Sequence, residues 1–255
     1  MHITNQNFKI LIKPIKPIVP KKRALLVGIN YVRTAYQLNG CVNDVVNVSN
    51  FLKTKGYTST IITDTTQVQA TKNNILMLLK QLFITSNPGD TCFFHYSGHG
   101  TNTVDKNGDE ADRRDEQIVP CDFNMILDDE LKALIQNFLP ANVTLFALFD
   151  SCFSGTVLDL KYNYFPTFVN QKESETKSNV IMISGCTDKQ TSADAFINKK
   201  WAGAMTTSFL QSVQTSSSIS VLVQRMQKYL ATNKFTQIPQ LSTGKIINIT
   251  DGLYF

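Results

Sequence analysis

An α/β fold, with a mostly parallel central sheet and helices on both faces, is what the order of patterns along this chain predicts. Two observations carry that expectation. Short apolar runs dense in Val, Ile, Leu and Phe alternate with longer stretches whose apolar residues recur at helical spacing, and the order β, α, β, α, β calls for parallel strands joined by crossovers. Two of the runs, TCFFHYSGHG at 91–100 and VTLFALFDSCFSG at 143–155, close in polar residues and glycine. Each reads as a buried strand, whose C-terminal end is where an open α/β sheet gathers ligands and reactive groups. One run delivers His99 and the other Cys152.

Residues 1–21, with X-Pro steps at Pro14, Pro17 and Pro20, read as an extended arm. RALLVGI at 23–29 is the first strand, and residues 41–55, with Val42, Val45, Val46, Val48, Phe51 and Leu52 near helical spacing, form the first helix. Gly56 ends it. A β-branched strand at 57–63 and an amphipathic helix at 70–83, carrying Ile75, Leu76, Leu78, Leu79 and Leu82, lead through the turn at 87–90 into the His run. After an acidic loop at 101–122, a helix at 128–138 begins with Asp128, Asp129 and Glu130 at the positive end of its dipole. Beyond the Cys run come a polar loop at 161–179, a strand at 180–185, helices at 202–214 and 220–231, and a last strand, KIINIT, at 245–250.

Composition narrows the function. The net charge of +5 is modest and the basic residues are scattered, apart from Lys21, Lys22 and Arg23, so no nucleic-acid footprint is expected. Five cysteines without a CxxC pair argue against a disulfide framework and for a reducing compartment. Lys9, Lys13, Lys16 and two prolines interrupt the apolar residues of the arm, which leaves no leader-like or membrane-spanning run. A cytoplasmic protein with no membrane partner is the expectation.

A thiol becomes a useful nucleophile when a base or a positive field favours its thiolate, and an imidazole supplies both. Alternation along a strand places His95, Ser97 and His99 on one face, and Asp150 and Cys152 likewise. The competing readings are an inert buried Cys and a zinc site, but zinc wants four ligands, which the chain lacks at suitable spacing. Asp150, two residues before the thiol, lies about where the side chain preceding a scissile bond must sit. The alternative is that Asp150 merely orients His99 and that Asp44 caps a helix or faces solvent. In the acidic loop, Asp105, Asn107, Asp109 and Glu116 fall at EF-hand offsets, yet Glu110 stands where that loop needs glycine and no helix precedes it. An EF-hand is therefore not expected.

HYSGHG at 95–100 and DSCFSG at 150–155, with GCVNDV at 40–45 and GAMT at 203–206, resemble the motifs of metacaspases, in the caspase-like clan. The resemblance runs from residue 22 to the C-terminus and is most similar to type I. It implies a caspase-hemoglobinase fold in one peptidase domain at 22–255, with a large-subunit-like part at about 22–165 and a small-subunit-like part at about 180–255. It also implies a His99 and Cys152 dyad working through a thioester, and the 53 positions between them agree with the caspase spacing. The N–H groups of Gly100 and Cys152 are candidates for an oxyanion hole. Cys41, Asp44, Ser97 and Asp150 would form the S1 pocket, where two acids select Arg or Lys in protein or peptide substrates. Calcium would be bound by Asp112, Asp128, Asp129 and Asp159, with Asp115 the neighbouring alternative to Asp112. The family further implies a monomer, and exposed Lys21, Lys22, Lys172 and Lys177 are the expected places for self-cleavage. Two departures from the family pattern are Phe153, where members usually carry His, and the short arm in place of a long prodomain. A related peptidase cutting after Asn or Asp, and an idle homologue acting as a scaffold, are the rival readings; the second would be marked by loss of the Cys or His, and both are present.

Overall fold

The computed structural model describes residues 19–104, 114–152, 157–164, 167–185, 194–197 and 200–253. Strands β1 (Lys22–Gly28), β2 (Thr58–Thr63), β3 (Thr91–Ser97), β7 (Thr144–Asp150) and β10 (Asn179–Ser184) lie parallel in the order β2-β1-β3-β7-β10. Strands β13 (Gln240–Thr243), β8 (Tyr162–Tyr164) and β9 (Thr167–Val169) extend this sheet to eight strands with antiparallel pairs. Between them in sequence lie β4 (Gly100–Val104), β5 (Arg114–Ile118) and β6 (Ile126–Leu127), which make a separate small sheet, and the hairpin β11 (Asp194–Ile197) and β12 (Lys200–Gly203).

Alternation along the parallel strands sorts the core into two layers. Leu25 and Val27 of β1, Phe94 and Tyr96 of β3, and Leu145, Ala147 and Phe149 of β7 face helices α2 (Lys72–Ile84) and α3 (Asp128–Phe138). Their neighbours Ala24, Leu26, Phe93, Phe146 and Leu148 face α1 (Cys41–Thr54), α4 (Ala204–Val213) and α5 (Ile219–Thr232). Helices therefore cover both faces, as the sequence predicts, because a strand buried on both sides must be apolar at every position. Among the described residues no helix is long and apolar enough to cross a membrane.

Several elements differ from the sequence reading. KIINIT forms no strand: the ladder stops at Thr243, and Ile247 and Ile249 reach the core as partly buried side chains from irregular backbone. An apolar alternation thus reports burial rather than pairing. The acidic loop holds β4 and β5, β6 lies between that loop and α3, and the polar loop holds β8 and β9; these are strands of two to five residues, too short or too polar to show a period. The helix expected from residue 202 starts at Ala204, since the preceding residues pair in β12.

Candidate active site

β3 ends at Ser97 and β4 starts at Gly100, so His99 sits in the corner between two sheets, and strand alternation stops short of it. Its Nε2 lies 2.7 Å from the carbonyl oxygen of Tyr36. A carbonyl only accepts, so Nε2 carries the proton and Nδ1 is left as the acceptor. The backbone of His99 is held as closely: its N–H donates to the Tyr31 hydroxyl at 2.8 Å, and its carbonyl accepts from the Tyr96 hydroxyl at 2.7 Å and from the Val119 N–H at 3.1 Å. Tyr31 in turn donates to the Val119 carbonyl at 2.6 Å. Burial holds both phenols well above their ordinary pKa, so they remain hydroxyls. A Cβ at Gly98 would lie 2.7 Å from the Tyr96 hydroxyl and 2.9 Å from that of Tyr31. Only glycine leaves room for this pair.

Cys152 lies two residues past the end of β7 and is half-buried. Ser97 and Asp150 are register partners, and the Gly98 N–H donates to the Asp150 carbonyl at 3.3 Å, so the polar ends of the two runs lie side by side. A Cβ at Gly100 would strike the Cys152 carbonyl oxygen and come within 3.3 Å of its nitrogen. The backbones carrying the imidazole and the thiol therefore touch. Phe153 lies outside the described residues.

His95 takes no part. It is wholly buried, its Nδ1–H donates to the Leu148 carbonyl at 2.9 Å, and its Nε2 has no partner. Burial depresses its pKa to about 4, so it is neutral.

On the α1 side of the sheet, the first turn of α1 brings Cys41 and Asp44 to the C-terminal edge of the strands, and both are buried. The Asp44 carboxylate accepts from the Ser97 hydroxyl at 2.8 Å and from the Gly203 N–H at 3.0 Å. Asp150 is also buried, and its Oδ2 accepts from the N–H and the hydroxyl of Thr206, each at 2.8 Å. It is thus Asp150, rather than Asp44, that caps a helix, satisfying the open first turn of α4. A Cβ at Gly203 would strike Asp150 Oδ2 and lie 2.7 Å from Asp44 Oδ2, so the two acids converge on one glycine. Gly203 and Thr206 belong to the GAMT segment, but no pattern in it marks them as donors to these acids.

At the start of α3, carboxylate oxygens of Asp128, Asp129 and Asp159 lie within 4.8 Å of one another. Burial, then the charge of Asp159, pushes Asp128 up to about 7, against donation from the N–H groups of Asp129 at 2.7 Å and Glu116 at 2.5 Å. Asp115 on β5 is buried and adds to the same repulsion. Lys132 reaches Asp159 at 3.6 Å but pairs more closely with Glu173, at 2.7 Å. Three clustered carboxylates, with burial and the Asp159 charge opposing ionisation of Asp128, fit a divalent cation of the calcium type, whose charge would offset that opposition. Asp112 lies outside the described residues.

The chain is similar to known proteins in both sequence and fold. The sequence profile of the metacaspase peptidase C14 domain matches residues 22–161. Metacaspase-1 of Kluyveromyces lactis is 38% identical over 292 residues, spanning 89% of this chain and 67% of that protein. Metacaspase-1 of Meyerozyma guilliermondii is 35% identical, spanning 88% of this chain and 70% of that protein. In fold, the chain is similar to the crystal structure of protein GSU0716 from Geobacter sulfurreducens, with a TM-score of 0.70 at 24% identity over 92% of this chain and 97% of that one. By family profile and by relatives, the chain belongs to the metacaspases and is a cysteine-type peptidase.

Proposed function

We propose that the protein is a calcium-dependent endopeptidase that cleaves after Arg or Lys, with Cys152 as nucleophile and His99 as base. The observation that carries this reading is the contact of the Gly100 and Cys152 backbones beside an imidazole whose Nε2–H is tied to Tyr36. Nδ1 then takes the thiol proton, the thiolate attacks the substrate carbonyl, and the N–H groups of Gly100 and Cys152 are the proposed donors to the oxyanion. Nδ1 returns that proton to the leaving amine as the C–N bond breaks. Water then hydrolyses the thioester, giving its proton to His99 and restoring the thiol.

Selection of a basic residue is supported by Asp44 and Asp150. Ser97, Gly203 and Thr206 give them neutral donors, which hold the carboxylates in place without cancelling their charge. Two acids beside one cation suit the planar fork of arginine at least as well as the ammonium of lysine. Asp128, Asp129 and Asp159, with Asp112, would hold the calcium, which would supply charge neutralisation and so let these carboxylates stay close together while ionised. Self-cleavage is proposed after Lys172 or Lys177, both exposed, ahead of Lys21 and Lys22, whose backbones enter the sheet edge. A cytoplasmic monomer completes the reading.

The test is cleavage of a peptide panel by wild type and Cys152→Ala, with calcium and after chelation. Arg and Lys peptides should be cut only by wild type with calcium, and Asp peptides should be slower by orders of magnitude. Cleavage of Asn or Asp peptides with Arg and Lys peptides inert would replace the specificity proposed, and undiminished activity after chelation would remove calcium.

A further inference from the structure

We infer that Tyr36 and Phe123 form the subsite for the residue that follows the scissile bond, and that this subsite takes a large apolar side chain such as leucine or phenylalanine. The inference rests on the assignment of His99 and Cys152 proposed above. Tyr36 and Phe123 are large apolar residues that remain exposed, at 63% and 38%, and they lie together, with ring centroids 5.8 Å apart. Tyr36 meets the His99 imidazole edge-on at 6.4 Å, and Tyr31 bridges the imidazole at 4.7 Å to Phe123 at 5.8 Å. The open face of this cluster therefore adjoins the catalytic ring. Its backbone is not relaxed: Tyr31 and Phe123 have φ of 50° and 58°, a region that side chains of this size rarely adopt. The segment carrying Tyr36 is also pinned, with Asp64 accepting from the N–H groups of Asn30 at 3.3 Å and Val32 at 3.0 Å, and Leu38 N–H donating to the Asn30 carbonyl at 2.8 Å.

The chemistry supplies the occupant. When the C–N bond breaks, the leaving nitrogen takes a proton from the imidazole and must come within about 3 Å of it. The side chain of the residue bearing that nitrogen starts one bond further on. Its length is comparable to the 6.4 Å between the imidazole and Tyr36. The pocket of Asp44 and Asp150 lies on the other face of β3, so the residue before the bond points there and the one after it meets the aromatic rings.

The experiment uses internally quenched peptides with Arg before the cleaved bond and Gly, Leu, Phe or Asp after it, cut by wild type, Tyr36→Ala, Phe123→Ala and Tyr36→Arg. Each result is read as a ratio of kcat/KM within one enzyme, so a general loss of activity cancels. Wild type should favour Phe or Leu over Gly by about tenfold, as expected of an apolar pocket. The alanine variants should bring that ratio to within about twofold of unity, and Tyr36→Arg should raise Asp relative to Phe. A flat wild-type profile, or a preference that survives both alanine substitutions, overturns the subsite. Failure of wild type to cut any of these peptides overturns the dyad or arginine assignment as well. Wild-type cleavage with ratios unmoved by the substitutions overturns the subsite alone.

Discussion

At the residue scale, the imidazole is governed by hydroxyl and carbonyl groups that are not among the reacting atoms. Tyr31 and Tyr96 grip the peptide unit of His99 from both sides, and the Tyr36 carbonyl sets its tautomer. Tyr31→Phe removes the acceptor for the His99 N–H and leaves a donor without a partner, a loss of about 1–3 kcal/mol. Tyr31 touches neither thiol nor peptide in the mechanism proposed, so the substitution should lower kcat about tenfold while leaving KM within about twofold. It should also shift the pH profile of Cys152 alkylation, which a purely structural role would not move. An unchanged kcat and profile in a folded variant would remove Tyr31 as a positioning residue.

At the scale of elements, the site is assembled where three units abut: the C-terminal ends of β3 and β7, the first turn of α1, and the junction of β12 with α4. Gly203 is the tightest point, because its N–H serves Asp44 and a side chain there would strike Asp150. Gly203→Ala should therefore displace a carboxylate and cut kcat/KM for Arg peptides by about a hundredfold. Cys152 should still react with iodoacetamide at its usual rate, since the collision falls on Asp150 and Asp44, neither of which is assigned to the dyad. Loss of both reactions would point to a collapsed sheet edge instead.

Across the whole molecule, stability carries a pH signature from His95. Its folded pKa of about 4 lies below the 6.5 of an unfolded histidine, so between these values the unfolded chain binds a proton that the folded chain refuses. The contribution is fully present above pH 6.5 and is lost as pH falls toward 4, by an amount on the order of 3 kcal/mol. Asp128 works in the opposite direction, its folded pKa of about 7 lying above the 3.8 of a free carboxylate, so wild type alone would mix the two. Urea unfolding of wild type and His95→Gln at pH 7 and pH 5 isolates the histidine. The fall between the two pH values should be smaller in the variant. Equal falls would show that His95 is protonated in the folded state.

The sequence alone determined the layer order, the two strand ends that carry His99 and Cys152, and the start of α3 at its acids, because those features are written as local periods, turns and dipole-favoured charges. Resemblance to the family motifs also pointed to Asp44 and Asp150 as a pair, and the fold brings both against Gly203. What the sequence left out depends on contacts between distant segments. Strands of two to five residues in and beside the acidic and polar loops carry too few positions for a period to register, and Ile247 and Ile249 bury without pairing. His95 and His99 belong to one motif, yet one is sealed against Leu148 and the other turned toward Tyr36. That difference arises from the sheet corner at Gly98. Tyr36, Phe123, Gly203 and Thr206 enter the site from loops and a helix end up to 159 positions from their partners, and no spacing rule spans such distances. Tertiary packing decided those residues, since an exposed aromatic or a glycine gains its role only from the atoms the fold sets beside it.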